Sequence, residues 1–141
     1  MKKAKWTLKK VKVDEILNSI ENSCWKYGIQ YDILYKNSES VLLRLRRKKK
    51  IKILKYHKSQ IVFEKDFKDF LNYMDKFEID NGVYITTGVF TQEILNKVIH
   101  FKFKNIKLVD NLSLIKKELG LKGKSNDMFK KPESVFLAYL P

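Results

Sequence analysis

A mixed α/β fold is predicted for this 141-residue chain by three features of its apolar pattern. Residues 13–27 repeat apolar positions at intervals of three and four, the period of a helix packed on one side. Residues 43–46 and 51–53 alternate apolar and basic side chains with period two, the mark of half-buried strands. From residue 64 on, helical spacing alternates with short, wholly apolar runs, as in strands covered on both faces. Helices interleaved with such strands imply parallel pairing through crossovers and a mixed sheet with helices on both faces. At this length one domain is expected.

The elements follow in order. Val13, Ile16, Leu17, Ile20, Cys24 and Tyr27 form the apolar stripe of a first helix, and Gly28 stands where a C-terminal cap belongs. On that stripe Cys24 reads as a buried structural thiol. Ile29–Lys36 is a strand, Asn37-Ser38 a turn, and Val41–Arg47 and Ile51–Tyr56 two further strands. Leu43 and Leu45 alternate with Arg44 and Arg46, and Ile51 and Ile53 with Lys52, so a hairpin with one apolar and one basic face is expected. Its turn, Arg47–Lys50, lacks the Gly or Asn of a tight hairpin turn. Phe67, Phe70, Leu71, Met74 and Phe77 give a helix over 64–78. Asp80-Asn81-Gly82 turns the chain into a short strand, Val83–Thr86. Thr91 caps a helix over 92–100, Ile106–Val109 is another buried strand, and 111–119 is a last helix ending at Gly120. Residues 121–141 read as a linker followed by an apolar run, Val135–Leu140, which either folds back or docks on a partner, a second copy of the chain included.

Charge narrows the function. The chain carries 30 Lys and Arg against 16 Asp and Glu, a formal net charge of +14. Nine of those charges lie in the acid-free stretch 44–58: Arg44, Arg46, Arg47, Lys48, Lys49, Lys50, Lys52, Lys55 and Lys58. Smaller groups lie in a basic arm, residues 1–12, and along Lys97, Lys102, Lys104 and Lys107. Local, acid-free clustering points to a polyanion, because each phosphate neutralised releases counterions and adds a salt-dependent increment to affinity. Trp6 and Tyr56 are candidates for stacking on bases, His57 for a phosphate contact, and Trp25 for the core.

Other classes are excluded by composition. A single cysteine allows neither a disulfide framework nor a cysteine-rich zinc site, and two histidines leave little for metal binding. Five glycines leave no Gly-rich phosphate loop. No run is long enough to span a membrane, and the basic N-terminal residues lack the apolar core of a signal peptide, so a cytoplasmic location is expected.

The stretch Gly82–Leu114 carries a family likeness. Gly82, Thr86-Thr87, Phe90-Thr91, Leu108-Val109-Asp110 and Leu114 resemble the C-terminal half of the Mrr-type restriction endonuclease domain, of the PD-(D/E)xK nuclease superfamily. Asn111 stands where that family has Gly. The resemblance covers roughly residues 13–120 and implies a restriction-endonuclease-like, three-layer αβββαβαβα fold. From the residues themselves, Thr86 and Thr87 end a buried strand, and Thr91 and Asp110 cap helices.

The family's chemistry requires carboxylates, because Mg²⁺ is a hard cation that takes oxygen ligands. Its pattern places an Asp on the second hairpin strand and Glu or Gln, one residue, then Lys on the next. Here Lys55 matches the lysine, but Ile53 holds the Glu/Gln position and Leu42–Arg46 offers Leu or Arg for the Asp. The expectation is therefore a DNA-binding protein on a nuclease fold, without catalysis, cofactor or metal, in which Arg44, Arg46, Lys52 and Lys55 fill the former cleft. The alternative is an Mg²⁺-dependent endonuclease with relocated acids, Asp32 and Glu64 as ligands and Lys55 as the lysine; Glu39 and Asp66 are the other nearby carboxylates. A third reading is an interaction subunit working through Val135–Leu140.

Overall fold

The computed structural model describes residues 11–101, 104–114, 136 and 139–141. The basic arm up to residue 10, with Trp6, and most of the stretch beyond Leu114, including the end of the last expected helix, lie outside the described residues. The elements are α1 (Val13–Tyr27), β1 (Gln30–Lys36), β2 (Ser40–Arg47), β3 (Lys50–His57), β4 (Ile61–Val62), α2 (Glu64–Lys76), β5 (Asn81–Thr86), β6 (Val89–Phe90), α3 (Gln92–Ile99) and β7 (Asn105–Val109). A helical turn follows at 111–114.

The main sheet has the order β1-β2-β3-β5-β7. β1, β2 and β3 pair antiparallel, whereas β3, β5 and β7 pair parallel, so the sheet is mixed as predicted. The β1–β2 register slips between Ile33 and Tyr35. Each face is covered. On one side the α1 stripe, Val13, Ile16, Leu17, Ile20 and Cys24, packs on Leu43, Leu45, Leu54, Tyr56, Val83 and Ile85. On the other, Phe67, Phe70 and Met74 of α2 and Ile94 of α3 pack on Leu42, Ile53 and Tyr84. This is the mixed α/β sheet with helices on both faces that the apolar pattern implied. Among the described residues no helix is long and apolar enough to cross a membrane.

Local chemistry accounts for the element ends. Gly28 closes α1 in the left-handed region at φ 68°, where an L side chain is strained. Asn37 Oδ1 accepts from the Glu39 and Ser40 backbone N–H groups at 2.8 Å and forms the β1–β2 turn. Asp110 Oδ1 accepts from the Ser113 N–H at 3.0 Å, the cap expected for the last helix. Thr91 occupies the cap position of α3, but its hydroxyl makes no cap bond and is buried without a partner.

Several expectations are corrected. The two-stranded parallel sheet β4–β6 is absent from the sequence reading because two-residue strands carry no periodicity. It forces Gly88 against the Ser59–Gln60 backbone, where any Cβ would collide. Trp25, expected in the core, is 80% exposed on α1. Of the two alternatives for the Val135–Leu140 run, folding back or docking on a partner, the described residues Phe136, Tyr139 and Leu140 follow the first and lie in the chain's own core on the α1 face.

Candidate nucleic-acid interface

The hairpin β2–β3 turns at Lys48-Lys49, with Arg47 opposite Lys50, so the connection has two residues. That length decides where every hairpin charge points. Arg44 lies opposite Ile53, and Leu45 opposite Lys52. Directly paired residues share a face, so Arg44 and Arg46 project toward α2 with Ile51 and Ile53, whereas Lys52 projects toward α1 with Leu45. The expected single basic face is therefore two faces, each mixed with apolar residues. Lys58 is further removed: about eight residues of extended chain, roughly 26 Å, separate it from Lys50. It lines a cavity of about 230 Å³ with Ser59, Gln60 and Thr87.

On the α2 side, Arg44 is committed locally. Its Nη2 and Nε donate to Asp32 Oδ2 of β1 at 2.8 and 3.2 Å, and its guanidinium lies 4.9 Å from the centre of the Phe77 ring. The pair borders a cavity of about 250 Å³ lined also by Gln30, Arg46, Ile51 and Ile79. Asp32, the leading ligand of the endonuclease alternative, thus faces a guanidinium. Glu64, the second, stands exposed in the first turn of α2. Among the described residues no three His, Cys, Asp or Glu side chains are grouped to hold a metal.

Lys55 lies farther along the same face and is only 4% exposed. Its ammonium sits 5.4 and 5.1 Å from the ring centres of Tyr35 and Tyr84, a cation–π sandwich. Burial lowers its pKa, while the Asp69 and Asp66 carboxylates of α2 act in the opposite sense. Asp66 also accepts from the Phe63 N–H at 3.1 Å, closing the start of α2. His57 is likewise buried, with Nδ1 2.8 Å from Tyr84 Oη; burial, then the Lys55 charge, depresses its pKa against Asp66 and Glu39. Neither Lys55 nor His57 presents itself to an outside phosphate, and Tyr56, a stacking candidate, is wholly buried on the α1 side. Burial raises the Tyr35 hydroxyl to about 12, so the tyrosines around Lys55 stay neutral.

The accessible cations gather at the hairpin tip. Arg47, Lys48, Lys49 and Lys50 are exposed and border a cleft of about 440 Å³ with Pro141. On the α1 face the row continues through Lys52 of β3 to Lys107 of β7, with Asn81 and Asn105 between them. Sequence reading included Lys107 in a minor charge group and gave Asn81 only a turn. Neither asparagine carries a sequence signal for binding, because parallel strand register is what sets Asn81 beside Asn105.

No protein-family profile matches the chain, and no curated protein does. Among solved structures, the chain is similar to the MspJI restriction endonuclease in complex with a 27-mer oligonucleotide, with a TM-score of 0.46, 11% identity and 87% of this chain covered. It is also similar to the DNA modification-dependent restriction endonuclease AspBHI, with a TM-score of 0.45, 10% identity and 96% covered. The chain spans 32% and 38% of the length of those proteins.

Proposed function

We propose that this chain is a nucleic-acid-binding domain that holds the phosphate backbone of DNA with the cationic end of its sheet and does not cut it. The observation that carries this reading is the row Arg47, Lys48, Lys49, Lys50, Lys52 and Lys107, for which no ion pair with a carboxylate is found among the described residues. The paired cations lie elsewhere: Lys36 with Asp14, Arg44 with Asp32, and Lys104 with Asp75. A row of cations without carboxylate partners, exposed on the turn and continuing through the half-buried Lys52 to the exposed Lys107, is an electrostatic footprint for a polyanion. Such contacts go to phosphate, so binding is steep in salt and weakly selective for sequence. The absence of cutting is supported at the positions the nuclease pattern gives to acids, where Arg44 and Ile53 face each other across the hairpin.

The test is fluorescence anisotropy with a labelled duplex over a salt series, with cleavage assayed in Mg²⁺. The full chain is expected to bind at low salt and leave the duplex intact. Changing Arg47, Lys48, Lys49 and Lys50 together to Gln is expected to flatten the plot of log affinity against log salt by about 0.9 for each phosphate that is no longer neutralised. No binding at low salt overturns the reading. Mg²⁺-dependent cleavage that Asp32→Ala abolishes would establish the endonuclease alternative.

A further inference from the structure

On the α1 face, strand alternation gathers four polar side chains that lie far apart in sequence. Lys52 shares its face with Leu54 and Tyr56, Asn81 with Val83 and Ile85, and Asn105 and Lys107 with Val109. Register completes the grouping: Asn81 lies beside Asn105, and Val83 beside Lys107. The result is a cavity of about 150 Å³ at the amino ends of β5 and β7, bordered by both lysines, both asparagines and Tyr139. Tyr139 steers the two ammonium groups together. Lys52 Nζ donates to its carbonyl oxygen at 3.2 Å, and Lys107 Nζ lies 5.1 Å from its ring centre. Among the described residues neither ammonium forms an ion pair with a carboxylate.

We propose that this cavity is a seat for one phosphate group, held by Lys52 and Lys107 and framed by the side-chain amides of Asn81 and Asn105. The proposal rests on the nucleic-acid reading for the source of the phosphate, but the seat is distinct from the hairpin tip. Its charged groups are both donors: two ammonium groups, with the NH2 groups of two carboxamides available beside them, suit a tetrahedral oxyanion, and no carboxylate among the described residues lines the cavity to hold a metal ion. Its small size fits a phosphate and leaves a base and sugar outside. The electrostatics agree, since the Lys52 ammonium is disfavoured by burial and then by the Lys107 and Lys50 charges, and an anion between Lys52 and Lys107 offsets that like-charge repulsion. The seat lies on the face opposite Arg44 and Lys55, so it owes nothing to the positions of the nuclease pattern.

The experiment uses the full chain, ¹⁵N-labelled, titrated with inorganic phosphate while amide shifts are followed by NMR. Saturable shifts at Asn81, Asn105 and Lys107 are expected. Lys107→Gln should weaken phosphate binding about tenfold, as the loss of one charge-assisted hydrogen bond implies, and Lys107→Arg should retain it. The tip pair Lys48→Gln with Lys49→Gln should leave it unchanged. Lys107 is exposed, so its variants test the seat without disturbing the core. Unsaturable shifts, shifts confined to the tip, or an unaffected Lys107→Gln variant overturn the seat. Duplexes with and without a 5′-phosphate then identify the source: tighter binding of the phosphorylated duplex, lost in Lys107→Gln, assigns the seat to a strand end. Equal binding, weakened alike by that variant, assigns it to the internal backbone. A protein that shows the phosphate shifts but binds no duplex keeps the seat and loses the nucleic-acid reading; the converse keeps that reading and loses the seat.

Discussion

Lys55 and His57 stand two residues apart on β3, and burial moves both toward their neutral forms. For His57 this has a definite consequence for stability. The fold disfavours its imidazolium, so the unfolded chain binds that proton at a higher pH than the folded chain does. Its contribution is complete above the ordinary histidine value of about 6.5 and declines as pH falls from there through the lower folded-state value. Urea midpoints are therefore expected to drop between pH 7.5 and 5.5, and His57→Gln should shrink that drop; an equal drop in the variant would assign it to other groups. Lys55 follows the same sign at the alkaline end, where rising pH toward the ordinary lysine range favours the fold. None of this is legible in the sequence, where both residues read as members of a basic run. Alternation correctly separated Arg44 and Arg46 from Leu43 and Leu45. It could not relate β2 to β3, because the parity of that relation is set by the number of residues in the turn.

At the scale of the element, the turn itself is the strained point. Lys48 adopts φ 57°, the left-handed region, and no Gly or Asn is present to take it without strain. Replacing Lys48 with Gly should raise stability by up to about 1 kcal/mol, measured by chemical denaturation, while removing one cation from the tip. Opposite signs in the two assays, a higher urea midpoint and a shallower salt slope, would show that charge occupies this turn at the expense of backbone comfort. A lower midpoint for the Gly variant would show that the entropy of the unfolded chain outweighs the strain. The longer elements were legible to within a few residues, since 13-residue and 15-residue helices and eight-residue strands carry enough positions to display a period. β4 and β6 do not, and Gly88, which their pairing requires, looks like any loop glycine until the Ser59–Gln60 backbone is seen against it.

For the molecule as a whole, the sheet divides two cores, and the α1-side core is finished by residues from the far end of the chain. Phe136 packs edge-on against Tyr56, with ring centres 6.1 Å apart. Phe136→Ala should cost about 3–5 kcal/mol, a large part of the 5–15 kcal/mol typical of a domain, and be read as a fall in the urea midpoint. A variant of unchanged stability would return the run to the role of a docking segment. The sequence showed that the 135–140 run needed burial but not where, because nothing local distinguishes a core that is already complete from one still open on one side. The mixed sheet and its covering helices were legible for the reason that makes them stable: each strand's period states how many of its faces are covered.

The slip in register between Ile33 and Tyr35 bears on how copies of this chain meet. Among the described strands β1 is the outer one of the sheet on its side, with Ile33 exposed, and such a border invites another chain to add a strand and extend the sheet. Here the ladder of outward N–H and C=O groups breaks step partway along. An incoming strand aligned with one half of β1 is misaligned with the other, and can pair over only a few residues before losing its partners. The irregularity thus limits how far a sheet can grow across this border.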